Sequence, residues 1–243
     1  MKITEFITSM FYPDRCIYCG RVVEHGKTVC GHCRLPRVGD AICSKCGRDH
    51  DRCVCSSMSY SFISAVAPFY YEGGVKKALL NVKYGSRREI PELADEISMA
   101  LERSFGRSII TDFDLVAYVP MRTEKQRERG FNQARLLAER VSGNFGVPLG
   151  DVLEKIKDGE PQHCLTARQR RLNVKGMFSC KGDLEGKNIL LIDDIFTTGA
   201  TLSECSLQML KHSALSVSAA VVALAVPNDD MVSAEKKRAS DYY

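Results

Sequence analysis

An α/β protein with a mostly parallel sheet flanked by helices, preceded by a small cysteine-rich module, is what the sequence predicts. Three observations carry that expectation. Eight of the eleven cysteines fall before residue 56, in closely spaced pairs. From about residue 61 to 228, strand-like and helix-like hydrophobic patterns alternate, as in a sheet built from strand–helix–strand units. Near the end of that region an apolar run, residues 189–192, reaches two adjacent acids, a Thr/Gly loop and then a helical repeat. The expected organisation is therefore a module over 1–60, an α/β domain over 61–228, and a polar, mobile tail over 229–243.

Taken in order, Ile3, Phe6, Ile7, Met10 and Phe11 fit one face of a short helix that docks on its own protein. Glu5 interrupts what a signal peptide would keep apolar, and no apolar run reaches the roughly 20 residues of a membrane span. The chain is thus expected to be cytoplasmic and without stable membrane insertion. Next come Cys16-x-x-Cys19, Cys30-x-x-Cys33, Cys43-x-x-Cys46 and Cys53-x-Cys55. A Cys-x-x-Cys turn directs two thiolates at one point, and two such turns complete a tetrahedral S₄ site for Zn²⁺. Glycine follows Cys19 and Cys46, as tight turns of this kind require. One structural zinc is expected on the first quartet and a second on the less regular Cys43, Cys46, Cys53 and Cys55. A disulfide framework is the alternative, but it does not suit a reducing cytosol. His32 and His50 are read as exposed bystanders, and a module this poor in large apolar side chains needs a metal to fold.

Residues 64–71 read as a strand ended by Gly73-Gly74, and 75–84 as a short helix closing at Gly85. Ile90, Leu93, Ala94, Ile97 and Leu101 mark an amphipathic helix. Residues 114–119 read as a strand stopped by Pro120; Ala134, Leu137, Ala138, Val141 and Phe145 form another apolar helix face. Residues 149–156 are expected as one strand, 188–193 as the central strand, and 217–226 as a final buried strand before Pro227. Cys205 falls on an apolar helix face with Leu202, Met209 and Leu210 and is expected in the core.

The segment 189–201 carries the chemistry. A strand, an acidic tip, a Thr/Gly loop and a helix N-terminus together suit a sugar phosphate. Backbone N–H groups and threonine hydroxyls donate to the phosphate, and Gly199 permits close approach. Asp193 and Asp194 can accept from vicinal ribose hydroxyls or hold Mg²⁺. No Gly-x-x-x-x-Gly-Lys-[Ser/Thr] sequence is present, which excludes a P-loop. The net charge of +4 is small, but basic residues cluster. Arg122, Lys125, Arg127, Arg129 and Arg135 form one group; Arg168, Arg170, Arg171 and Lys175 form another without any acid. Two such clusters around a phosphate loop favour a polyphosphate or nucleic-acid ligand over a merely solvated face.

The run from Ile192 to Thr201 resembles the phosphoribosyl-pyrophosphate (PRPP) motif of type I phosphoribosyltransferases. The block Arg127-Glu128-Arg129-Gly130-Phe131-Asn132-Gln133-Ala134 resembles the ComF family, phosphoribosyltransferase-like proteins associated with DNA uptake in natural competence. Lys83-Tyr84-Gly85, Arg170-Arg171-Leu172-Asn173-Val174-Lys175-Gly176 with Phe178, and the cysteine module agree with that family. The resemblance implies a type I phosphoribosyltransferase fold that binds PRPP with Mg²⁺. Asp193 and Asp194 are then the catalytic carboxylates, and Thr197, Thr198, Gly199, Ala200 and Thr201 cradle the 5′-phosphate. Arg122, Arg127, Arg129 and Lys83 meet the pyrophosphate, while Arg170, Arg171 and Lys175 sit on a flexible segment over the pocket or contact DNA.

Two functions follow as expectations. In the first, the chain transfers phosphoribosyl to an acceptor the sequence does not identify, in the setting of competence. In the second, it is a non-enzymatic single-stranded DNA-handling protein with a regulatory or vestigial PRPP site and a helicase-type partner. There Tyr84, Phe131 and Phe178 offer stacking faces. His163, after Gln162, is a candidate base, although a lone loop histidine is more often merely solvated.

Overall fold

Apolar runs buried on both faces need helices above and below them, and the arrangement of this chain follows from that. The computed structural model describes residues 13–53, 55, 59–106, 109–157 and 173–227. The expected N-terminal helix and polar tail lie outside the described residues, as do Gln162, His163, Cys164, Arg168, Arg170 and Arg171.

The strands are β1 (Ser64–Val66), β2 (Phe69–Tyr70), β3 (Leu115–Tyr118), β4 (Leu149–Gly150), β5 (Leu153–Lys155), β6 (Phe178–Cys180), β7 (Asn188–Phe196) and β8 (Ser216–Leu224). The helices are α1 (Gly73–Lys83), α2 (Ile90–Phe105), α3 (Ile109–Asp112), α4 (Thr123–Arg129), α5 (Gln133–Phe145) and α6 (Ala200–Lys211). The main sheet runs β1-β8-β7-β3-β4, with β2 also on β8, and every pairing in it is parallel. Ile189 to Ile192 on β7 and Val217 and Ala219 to Leu224 on β8 are almost wholly buried. Helices α2 and α5 pack on each other and on the sheet, and α6 packs on β7 and β8. As expected, Cys205 on α6 is buried.

Two predicted strands are each broken in two. Pro68 has no N–H to give a ladder, so the expected strand over 64–71 becomes β1 and β2, both paired to β8. The expected strand over 149–156 divides after Gly150. There β4 joins the main sheet beside β3, whereas β5 leaves it to pair antiparallel with β6. Residues 123–129, to which the sequence assigned no element, are the helix α4.

The cysteine module lies against the α/β domain and shares its hydrophobic core. Arg37 makes a two-pronged ion pair to the buried Glu96 of α2, at 2.8 and 2.9 Å. Thr28 donates to Glu92, and Tyr70 donates to Asp49 at 2.8 Å. Gly74, at the start of α1, is required by this contact: a Cβ there would stand 2.9 Å from the Cβ of Tyr18.

Candidate functional site

Two cysteine knuckles repeat the same backbone turn. The Gly20 N–H donates to the Cys16 carbonyl at 2.8 Å and the Gly47 N–H to the Cys43 carbonyl at 2.9 Å. Both glycines take positive φ, 77° and 70°, as the sequence required. Each knuckle meets a second cysteine pair: Cys16, Cys19, Cys30 and Cys33 form one group, and Cys43, Cys46, Cys53 and Cys55 the other. A tetrahedron of sulfurs about 2.3 Å from zinc has edges of about 3.8 Å. Here Cys16–Cys33 and Cys19–Cys30 are 3.7 Å apart, and Cys43–Cys55 and Cys46–Cys53 are 3.8 Å apart. The donor set therefore fits two structural Zn²⁺ ions. Thiol acidities agree: the N–H of Arg21 draws Cys19 down to about 6, while burial and neighbouring thiols hold Cys33 up. Four thiols this close cannot all ionise unaided, and a divalent cation removes the conflict. His32 and His50 are exposed and belong to neither group.

The second constellation stands at the C-terminal end of β7, where ligands collect in open α/β sheets. The strand runs further than expected, through Asp193 and Asp194 to Phe196. Successive side chains alternate sides. Burial, and then the charge of nearby Asp193, raises the Cys205 thiol of α6, whereas Asp194 feels Arg129 and adds to the effect of burial in raising Tyr71. Removal from water, and then the Asp194 charge, lifts Asp193 well above the ordinary carboxylate range. Asp194 is also raised by loss of solvent, against the opposing pull of the Ile195 N–H and Arg129. Two crowded, half-buried carboxylates offering hard oxygen donors at the end of the strand fit a Mg²⁺ that is also held by a substrate's oxygens.

Asp193 gives a stability prediction. An acid whose folded pKa is raised lets the unfolded chain ionise first. Stability is then lost as pH rises from about 4 towards the folded value, and the loss is complete above it. Asp193→Asn is therefore expected to raise the thermal midpoint of Mg²⁺-free protein at pH 7, with no gain at pH 4. A lower midpoint at pH 7 would contradict this.

After β7 the chain turns through Thr197, Thr198 and Gly199 into α6. Gly199 caps the helix at φ 73°, ψ 4°. Its missing side chain matters, because a Cβ would fall 2.5 Å from Phe196 and 2.6 Å from Tyr60. The five expected phosphate contacts are not equivalent. Thr197 and Thr201 are partly open, whereas Thr198 is buried and its hydroxyl accepts the Ala200 N–H at 3.4 Å. A cleft of ≈ 110 Å³ lies beside this loop, lined by Thr198, Gly199, Ala200, Ser203 and Val174 among others. That is room for a phosphate-sized group and not for a nucleotide.

A larger groove of ≈ 460 Å³ is lined by Lys83, Tyr84, Gly85, Lys125, Glu128 and Arg129. The turn bearing Lys83 is fixed by Glu89, a buried acid that accepts from Asn81 and Ser86. Arg129 is aimed by Gln133, whose Oε1 accepts from it at 2.6 Å. Asn132 caps α5 and donates to the Val119 carbonyl at 3.1 Å, so the latter half of that sequence block is positioning machinery. Residues two apart on a helix face different ways. Arg129 accordingly lines the groove while Arg127 stands exposed outside its lining. Arg122 is half-buried with Glu124 3.9 Å away. Lys175 is exposed, next to Gly176, whose N–H donates to Glu204 of α6.

Of the expected stacking faces, Tyr84 is 81% exposed, but Phe131 and Phe178 are buried core. Those two assignments are corrected: Phe131 packs under the Arg87 guanidinium, and Phe178 lies in the β5–β6 ribbon. Sequence reasoning also missed Arg48. It is fully buried, donates to the Thr197 carbonyl at 2.9 Å, and stacks 4.7 Å over the Phe196 ring. No pattern could reveal it, because an arginine in a cysteine module reads as surface charge.

Comparison with known proteins fits this geometry. The phosphoribosyl transferase domain family matches residues 129–243 and the double zinc ribbon domain family matches residues 7–59. Competence protein ComFC of Bacillus subtilis is 30% identical over 211 residues, 80% of this chain and 84% of that protein. The chain belongs to the ComF family. Other ComF relatives include competence protein F of Haemophilus influenzae, 27% identical over 81% of this chain and 90% of that one. DNA utilization protein YhgH of Salmonella typhimurium is 27% identical over 83% and 86%. A ComF chain thus joins a phosphoribosyltransferase fold to an N-terminal zinc ribbon. No helix among the described residues is long and apolar enough to cross a membrane.

Proposed function

We propose that this ComF protein binds PRPP with Mg²⁺ and transfers phosphoribosyl to an acceptor, within a competence process in the cytoplasm. The observation that carries the reading is three features linked at the end of β7, where Arg129 of the groove acts on Asp194. They are the Asp193–Asp194 pair, the glycine-capped N-terminus of α6, and the cationic groove of Lys83, Lys125 and Arg129. In this reading the 5′-phosphate takes N–H groups of residues 197–201 and the partly open hydroxyls of Thr197 and Thr201. Asp193 and Asp194 hold the ribose hydroxyls or Mg²⁺, which when bound would help neutralise the pyrophosphate. As the bond from C1 to pyrophosphate loosens, Arg129 and Lys83 stabilise the departing charge. Little covalent chemistry is asked of the protein; positioning and charge supply the rate.

Pyrophosphate release tests turnover. PRPP and Mg²⁺ are incubated with the protein and either purine bases, pyrimidine bases or single-stranded DNA. Acceptor-dependent release, absent from Asp193→Asn/Asp194→Asn, is the expected result. The non-enzymatic reading has one specific observation in its favour: Tyr84 projects into solvent beside three cations, as a stacking platform does. Saturable PRPP binding with no release under any of these conditions would make DNA handling, with a partner such as a helicase, the function.

A further inference from the structure

Among the described residues, the guanidinium of Arg48 is a fully buried charge. It follows Cys46 and Gly47 in the second knuckle, and its own carbonyl accepts the N–H of Cys43 at 2.8 Å. Gly47 lets this turn press onto β1: a Cβ there would lie 2.4 Å from the Ala65 carbonyl. From that anchor the side chain crosses the ends of the two central strands. Nη2 donates to Thr197 O at 2.9 Å, and Nη2 and Nε approach Ala225 O at 3.4 Å.

Buried arginines ordinarily face a carboxylate, since an uncompensated charge in low dielectric is costly. Among the described residues Arg48 has no ion-pair partner, and its Nη1, wholly inaccessible, has no hydrogen-bond partner. Its charge lies behind the Phe196 ring, whose neighbours include Tyr60, Phe62 and the bare backbone of Gly199. The positive charge thus sits directly beneath the loop proposed to take a dianion. Carbonyl oxygens cannot neutralise it; a phosphate on the loop can.

We propose that Arg48 is a positioning residue of the phosphate loop. It fixes the Thr197 carbonyl so that the loop's N–H groups face outward, and it supplies the buried countercharge for the bound phosphate. The second cysteine site is then a working part of the phosphate pocket, in addition to stapling the module. This inference rests on the sugar-phosphate reading of residues 197–201.

The test compares Arg48→Gln and Arg48→Lys with wild type in the full chain, using ribose 5-phosphate and Mg²⁺-pyrophosphate as separate probes. Zinc content and thermal midpoint are recorded for each. Arg48→Gln is expected to weaken ribose 5-phosphate by at least about tenfold, the size of one charged hydrogen bond. Pyrophosphate, held by the groove cations, should change by less than about threefold. Arg48→Lys, which keeps the charge, should recover most of the lost ribose 5-phosphate affinity. Equal losses for both probes would mean a purely structural role and overturn the proposal, as would unchanged ribose 5-phosphate binding in a folded, zinc-loaded variant. If Arg48→Gln does not fold, a folded Arg48→Lys chain that loses ribose 5-phosphate but not pyrophosphate beyond tenfold likewise overturns the countercharge. Wild-type protein that binds neither probe would remove the phosphate reading itself.

Discussion

Gly199→Ala is expected to abolish sugar-phosphate binding and to lower the stability of the whole domain. Two costs add. The residue sits at φ 73°, which any L side chain resists, at about 1 kcal/mol or more. The new methyl would also collide with Phe196 and Tyr60, at 2.5 and 2.6 Å. Neither ring can retreat easily. Tyr60 stacks on Phe62 with centroids 4.8 Å apart, and Phe196 is edge-on to both and capped by Arg48. Overpacking of this kind typically costs about 1–3 kcal/mol. The sum is a thermal midpoint lower by several degrees, and a loop whose N–H groups no longer converge. Thermal unfolding and ribose 5-phosphate titration measure the two effects separately. Unchanged values in both would mean that the loop is less constrained than its contacts imply.

Removing zinc is expected to have the larger effect on stability. The module over residues 13–55 has few large apolar side chains of its own, and structural zinc sites of this class contribute on the order of 10 kcal/mol at neutral pH. Extraction by a strong chelator, or by a thiol-reactive mercurial, should release close to two Zn²⁺ per chain. Release should also unlock Arg37 from Glu96 and Arg48 from Thr197, so exposure of the α/β core should accompany it. Release of one ion only would assign the irregular Cys53-x-Cys55 pair a different role. Release of two ions with no change in hydrogen exchange around β7 would mean the module and domain are energetically independent.

The extent to which the sequence predicted this molecule varies by feature, for physical reasons. Helices α2, α5 and α6 and strands β7 and β8 declared themselves because each buries a periodic apolar face or run. The zinc sites were legible because chelation fixes residue type and local spacing, here repeated twice. Helix α4 was not, since Thr-Glu-Lys-Gln-Arg-Glu-Arg has no apolar stripe and buries nothing. The divided strands turn on Pro68 and on the residues after Gly150, where one backbone position decides which sheet is joined. The acids of the site, Arg129 beside them and the core position of Cys205 were all visible in the sequence, but not that Asp193 faces Cys205 while Asp194 faces Arg129. Phe131 and Phe178 look the same in sequence as Tyr84, and only packing separates core from surface. Arg48 lies at the far limit: its burial depends on Thr197 and Ala225, both more than a hundred residues away.

The central claim is that the end of β7 is a PRPP site, and direct titration is its sharpest test. PRPP with Mg²⁺ is titrated by calorimetry into wild-type protein and into Asp193→Asn/Asp194→Asn, each verified as folded and zinc-loaded. Saturable one-site binding by the wild type, weakened at least about a hundredfold by the double substitution, is the predicted result. Equal binding by both proteins, or heat from neither, would contradict it.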